Sequence, residues 1–91
     1  MSKVTLMITQ EVKNYDEWKK EFDAGAPMRA QSGVSITGLF RSAHNENALT
    51  VVSEVPNVET AHAFTTNPQM KAVWEKAGVI SSDIKILHRA E

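Results

Sequence analysis

The run Lys3-Val-Thr-Leu-Met-Ile-Thr-Gln-Glu11 decides how the rest of the chain is read. Val4, Leu6 and Ile8 alternate with Thr5, Met7 and Thr9, the period of two that sends successive side chains to opposite faces of a strand. One face is wholly aliphatic and needs a cover. The other sets a methionine among hydroxyls, so it too is part apolar.

Helical signals follow at once. Asn14 is a good N-cap, Glu17 stands three residues on as in a capping box, and Tyr15, Trp18 and Phe22 recur at helical steps. Gly25 and Pro27 interrupt that helix, so a second short segment is expected over Met28–Gln31, closed by Gly33. Alternation returns in Ser35–Ser42 and again in Ala48–Val55, with the turn residues 43–47 between them, which reads as a hairpin. Asn57 caps a further helix whose inner stripe is Val58, Ala61, Phe64 and Thr65. Asn67-Pro68 breaks it and starts another, with Met70, Val73, Trp74 and Ala77 on one face before Gly78. The run Val79–Arg89, containing Ile80, Ile84, Ile86 and Leu87, reads as a last strand of open phase.

The order strand-helix-strand-strand-helix-strand, with right-handed crossovers, implies a ferredoxin-like α+β domain: a four-stranded antiparallel sheet in the order 4-1-3-2 with the helices on one face. The alternation assigns Val4, Leu6, Ile8, Ile36, Phe40, Leu49 and Val51 to the helix side, together with Ile84 and Ile86. Met7, Leu39, Val52 and Leu87 are left on the other side, among Thr5, Thr9, Thr37 and Thr50, with Arg41, Glu54 and Arg89 at its margins. No element remains to cover that second face. Contiguous apolar patches of a few hundred Å² usually mark an interaction surface, so the expected partner is a second copy of the chain, with Met7, Leu39, Val52 and Leu87 at the dimer interface, set against the solvated face that antiparallel sheets often keep.

Length and composition agree. With 91 residues the chain forms one domain, residues 1–91, and a domain of this size buries only about 60–65% of its unfolded surface. Lys+Arg 10 against Asp+Glu 11 leaves no basic excess for nucleic acid or an anionic membrane. The chain has no cysteine, which excludes disulfides, thiolate metal sites and thiol nucleophiles. The apolar run near the start is too short for a signal peptide, and no stretch approaches the roughly 20 apolar residues of a membrane span, so a cytoplasmic location is expected.

Chemistry-bearing residues are few. His62 neighbours the inner stripe of its helix and is the candidate general base, set against an ordinary surface histidine. Trp74 and Phe64 lie on inner stripes, where core packing and a pocket wall are the competing roles. Arg29 and Arg41 are candidates for holding a carboxylate or enolate, or for pairing with surface acids. Glu59 and His62 share a helix face like half of a di-metal site, but the other half is missing, so no metal site is expected. The chain has no nucleophile elbow and no glycine-rich phosphate loop.

Other users of this topology fail on residues. An RNA-recognition domain needs aromatics on its two central strands, where this chain has aliphatic and hydroxyl side chains. A heavy-metal carrier needs paired cysteines. An acylphosphatase-like phosphate cradle needs a glycine-rich first loop with arginine, and here that loop is Val12-Lys-Asn-Tyr15.

The segment Val12-Lys-Asn-Tyr-Asp-Glu-Trp18, then Phe22, Arg29 and Gly33, Phe40-Arg-Ser42, Ala61 and Phe64, Asn67-Pro-Gln-Met70 and Ala77-Gly-Val79 resembles small proteins of the dimeric α+β barrel superfamily. In particular it looks like the short uncharacterised members often labelled "cyclase" or antibiotic-biosynthesis-monooxygenase-like. The resemblance implies a homodimer with sheets face to face and a small-molecule cavity between sheet and helices. Trp74, His62, Phe64, Arg29 and Arg41 are the residues expected to line it. Relatives include cofactor-independent oxygenases, polyketide cyclases and haem-degrading enzymes; the Asn and Trp–His pattern of the last group is absent here, with Met7 on strand one and no His after Trp74 on its helix. The expectations are a cofactor-free dimer that binds a small apolar or aromatic molecule, or a cofactor-independent monooxygenase or cyclase with His62 as base, or a module for assembly alone.

Overall fold

A computed structural model describes residues 3–90. Its elements are β1 (Val4–Val12), α1 (Tyr15–Ala24), α2 (Ala26–Gln31), β2 (Ser35–Arg41), β3 (Ala48–Val55), α3 (Val58–Thr66), α4 (Pro68–Lys76) and β4 (Val79–His88). The strands form one antiparallel sheet in the order β2-β3-β1-β4, which is the expected 4-1-3-2 read from the other edge. Each cap has a visible cause. Asn14 accepts from the Glu17 N–H at 3.0 Å, Asn57 from Thr60 at 2.7 Å and Asn67 from Gln69 at 2.9 Å, satisfying donors that a helix start leaves free. Helix α2 starts two residues before the expected Met28, because Pro27 is accommodated in its first turn. Gly33 and Gly78 leave α2 and α4 at φ 77° and 81°, the left-handed region that side chains avoid.

The core lies between the sheet and the helices. Leu6 and Ala61 are fully buried, and Val4, Ile8, Val34, Val55, Phe64 and Met70 pack with them. A second cluster gathers Val12, Trp18, Leu49, Val51 and Ala77 under α1 and α4. Burying each large aliphatic or aromatic side chain contributes about 1.5–3 kcal/mol, so these two clusters carry most of the favourable term in folding.

One strand departs from simple alternation. The register of β2 on β3 shifts between Ile36 and Gly38: Ile36 lies opposite Ser53, but Gly38 lies opposite Val52. The extra residue reverses the phase of everything after it. Leu39 lies opposite the buried Val51 and packs on the Trp18 cluster, so it is on the helix side, not at the open face where alternation put it. Phe40, expected inside, lies opposite Thr50 on the open face and is 60% exposed. Arg41 moves with Leu39: it lies opposite Leu49 on the helix side and stacks on Tyr15.

The open face therefore carries Met7 beside Val52, Leu87 beside Thr5, and Phe40 beside the hydrogen-bonded pair Thr9–Thr50. The Phe40 ring folds over Gly38, where a Cβ would lie 2.6 Å from it. The last strand has the phase of its neighbour, with Ile84 opposite Ile8 and Ile86 opposite Leu6 on the helix side. Its irregularity comes opposite Glu11 and Val12, where Ile80 is left 59% exposed.

Candidate functional site

A crevice lies between the sheet and the helices. Its floor is the helix side of β1 and β3, with Ile8, Gln10, Val51 and Ser53. Its walls are Trp18 and Phe22 of α1, Met28 of α2, Phe64 of α3, and Met70 and Trp74 of α4. The enclosed space is about 60 Å³. The half-buried or exposed lining residues Glu21, Arg29, Ile36, Val73 and Trp74 place its mouth among α1, α2, β2 and α4.

Two buried polar side chains sit in this apolar setting. Gln10, 3% exposed, accepts the Trp18 indole N–H at 3.1 Å and donates to Ser82 Oγ at 3.2 Å. An indole N–H can only donate, so Trp18 fixes which end of the Gln10 amide faces it. Ser53 donates to the Leu6 carbonyl at 3.3 Å. Buried polar groups that are paired in this way cost little, and among the described residues no buried side-chain polar atom lacks a partner. Gln10 escaped the candidate set drawn from sequence; its signal was a polar residue in phase with Val4, Leu6 and Ile8 on the inward face of strand one.

The three rings of α1 form a row. Tyr15 and Trp18 have centroids 5.7 Å apart and Trp18 and Phe22 4.8 Å, as their spacing of three and four residues along a helix requires. An arginine closes each end. Arg41 Cζ lies 3.9 Å from the Tyr15 centroid, and Arg29 Cζ 4.0 Å from that of Phe22. The two guanidinium groups differ in what else they touch. Arg41 gives Nε and Nη2 to the Glu46 carbonyl at 3.1 and 2.9 Å, outside the crevice. Arg29 lines the crevice, with Nη1 over Gly25, and its guanidinium makes no hydrogen bond or ion pair among the described residues. Burial lowers its pKa from the ordinary arginine value, opposed by the charge of Asp23. Glu21, the carboxylate at the mouth, is paired across it with Lys76 of α4 at 3.6 Å.

Of the five residues expected around a cavity, the structure brings together Trp74, Phe64 and Arg29 and leaves two out. Arg41 is at the far end of the aromatic row, carried there by the β2 bulge. His62 is exposed. Helix α3 buries Ala61, Phe64 and Thr65, and the next position after Ala61 is turned about 100° away from that stripe. It does not line the crevice, so it cannot serve as base there in this conformation. No group of three His, Cys, Asp or Glu side chains that could hold a metal occurs among the described residues. No described helix is long and apolar enough to cross a membrane.

No family model and no curated protein matches the sequence. Solved structures do. SnoaB of Streptomyces nogalater, a cofactor-independent oxygenase, is 14% identical and superposes with a TM-score of 0.78 over 100% of this chain and 96% of its own. A Caulobacter crescentus protein provisionally named an antibiotic biosynthesis monooxygenase is 20% identical, with a TM-score of 0.76 over 99% and 92%. The protein PA3566 of Pseudomonas aeruginosa is 16% identical, with a TM-score of 0.75 over 100% and 97%. At such identities the likeness concerns the fold. The chain therefore has the ferredoxin-like α+β fold of these structures.

Proposed function

We propose that this protein is a homodimer, joined through the open faces of its sheets, that binds a small apolar or aromatic molecule in the crevice of each subunit. The observation that supports binding is the crevice itself: four aromatic side chains and two methionines around a floor whose only polar side chains are an ordered amide and an ordered hydroxyl. Such a mixture of mostly apolar wall and few fixed polar groups is what ligand sites use. Size limits the occupant. A cavity of about 150 Å³ accommodates benzene, so 60 Å³ admits a single ring only if the unbranched Met28 and Met70 and the half-buried Trp74 give way. The absence of cysteine suits a reducing cytoplasm.

Oxygenase or cyclase chemistry in the same crevice is a second reading, favoured by the fold shared with SnoaB. It needs a base, and with His62 outside, the lining carboxylate is Glu21, already held by Lys76. Binding is thus the better-supported function, and an assembly module without a ligand is the third. The test is a thermal-shift screen with one-ring aromatics, indole among them. Binding raises the melting temperature with ligand concentration, and Trp74→Ala reduces that rise. A panel that moves neither the melting temperature nor the Trp74 emission would refute the ligand site.

A further inference from the structure

The two arginines that close the aromatic row are a matched pair with one difference, and that difference is informative. Both place the guanidinium carbon over a ring, an arrangement worth about 0.5–1 kcal/mol at exposed sites. Arg41 also spends its donors on a backbone carbonyl. Arg29 presents five N–H groups in a planar fork and has no acceptor for any of them among the described residues, although it is half buried at the mouth of an apolar crevice. We infer that Arg29 is an anion anchor, and that the molecule bound in the crevice is a small ring or short apolar body carrying one carboxylate.

The inference rests on the ligand site proposed above and names the class of its occupant. Three features support it. The stack on Phe22 and the contact over Gly25 hold the guanidinium in one place, so little freedom remains to be lost when an anion binds. The unpaired guanidinium nitrogens still reach solvent while burial strips part of their water, and a carboxylate would answer them with two parallel charge-assisted hydrogen bonds. The competing carboxylate at the mouth, Glu21, is drawn to Lys76, and Asp23 acts on Arg29 through space without forming an ion pair with it. Arg29 thus offers a positive charge with free hydrogen-bond donors beside an apolar wall.

The experiment compares benzoate with its neutral counterpart benzamide, titrated into the whole chain by calorimetry and by amide NMR shifts. The expected result is that benzoate binds about tenfold or more tightly than benzamide. Arg29→Met should erase that preference, weakening benzoate more than benzamide. Equal affinity of the two probes for the unaltered protein would overturn the anion anchor and leave the apolar site standing. So would an Arg29→Met variant that weakens both probes alike. If neither probe binds, the ligand site itself fails and the anchor with it. The first comparison needs no variant, so the inference is exposed even if Arg29→Met does not fold.

Discussion

On the helix side of the sheet Leu6 and Leu49 of the central strands are 0% and 1% exposed, while on the other side, on the edge strands, Phe40 is 60% exposed and Leu87 40%. Both faces belong to one sheet, and on its central strands the open-face residues Met7 and Val52 are half-buried, so position in the sheet as well as cover sets the exposure. The chain closes the first face with four helices and leaves a crevice under them. Among the described residues no element covers the second. The comparison teaches that apolar character alone does not say which face holds a ligand. What separates them is polar detail: the helix side has a fixed amide, a fixed serine and an arginine at its mouth, whereas the open face has threonines and a phenylalanine lying on a glycine.

The largest expected effect belongs to the covered face. Leu6→Ala should lower stability by about 2–5 kcal/mol, since it opens a void where the neighbours cannot all collapse. Urea denaturation would show this as a shifted midpoint with an unchanged slope. A loss below about 1 kcal/mol would mean that the two faces do not differ in their part in folding. A smaller effect sharpens the polar contrast. Gln10→Leu keeps the bulk but leaves the Trp18 indole N–H buried without an acceptor, at a cost of about 1–3 kcal/mol. Unfolding followed by Trp18 emission in a Trp74→Phe background reads this directly. An unchanged midpoint would show that the amide is incidental to the floor.

Much of this contrast was legible in the sequence, and the part that was not has a single main cause. The strand order, the caps at Asn14, Asn57 and Asn67 and the two faces of β1 follow from periodicity and capping chemistry, which act locally. The bulge in β2 depends on how that strand pairs with β3, so no periodicity within Ser35–Arg41 announces it. It exchanged Leu39 for Phe40 on the open face and took Arg41 to the helix side. His62 was misplaced by a finer error: adjacency to a buried stripe is not membership of it, because one residue along a helix is about 100° of rotation. Gln10 shows the reverse. Its phase was plain, but its role appears only when Trp18 and Ser82, from elsewhere in the chain, close around it.

The central claim is that the two faces have divided their work, with assembly on the open side and binding under the helices. Light scattering after gel filtration at micromolar concentration tests it most directly on the unaltered chain and on Phe40→Asp and Leu39→Asp. The account predicts the mass of two chains for the unaltered protein. It predicts a folded single chain for Phe40→Asp, and for Leu39→Asp a loss of stability, because the charge enters the Trp18 cluster. An unaltered protein that runs as one chain, or a Phe40→Asp variant that keeps the mass of two, would contradict it.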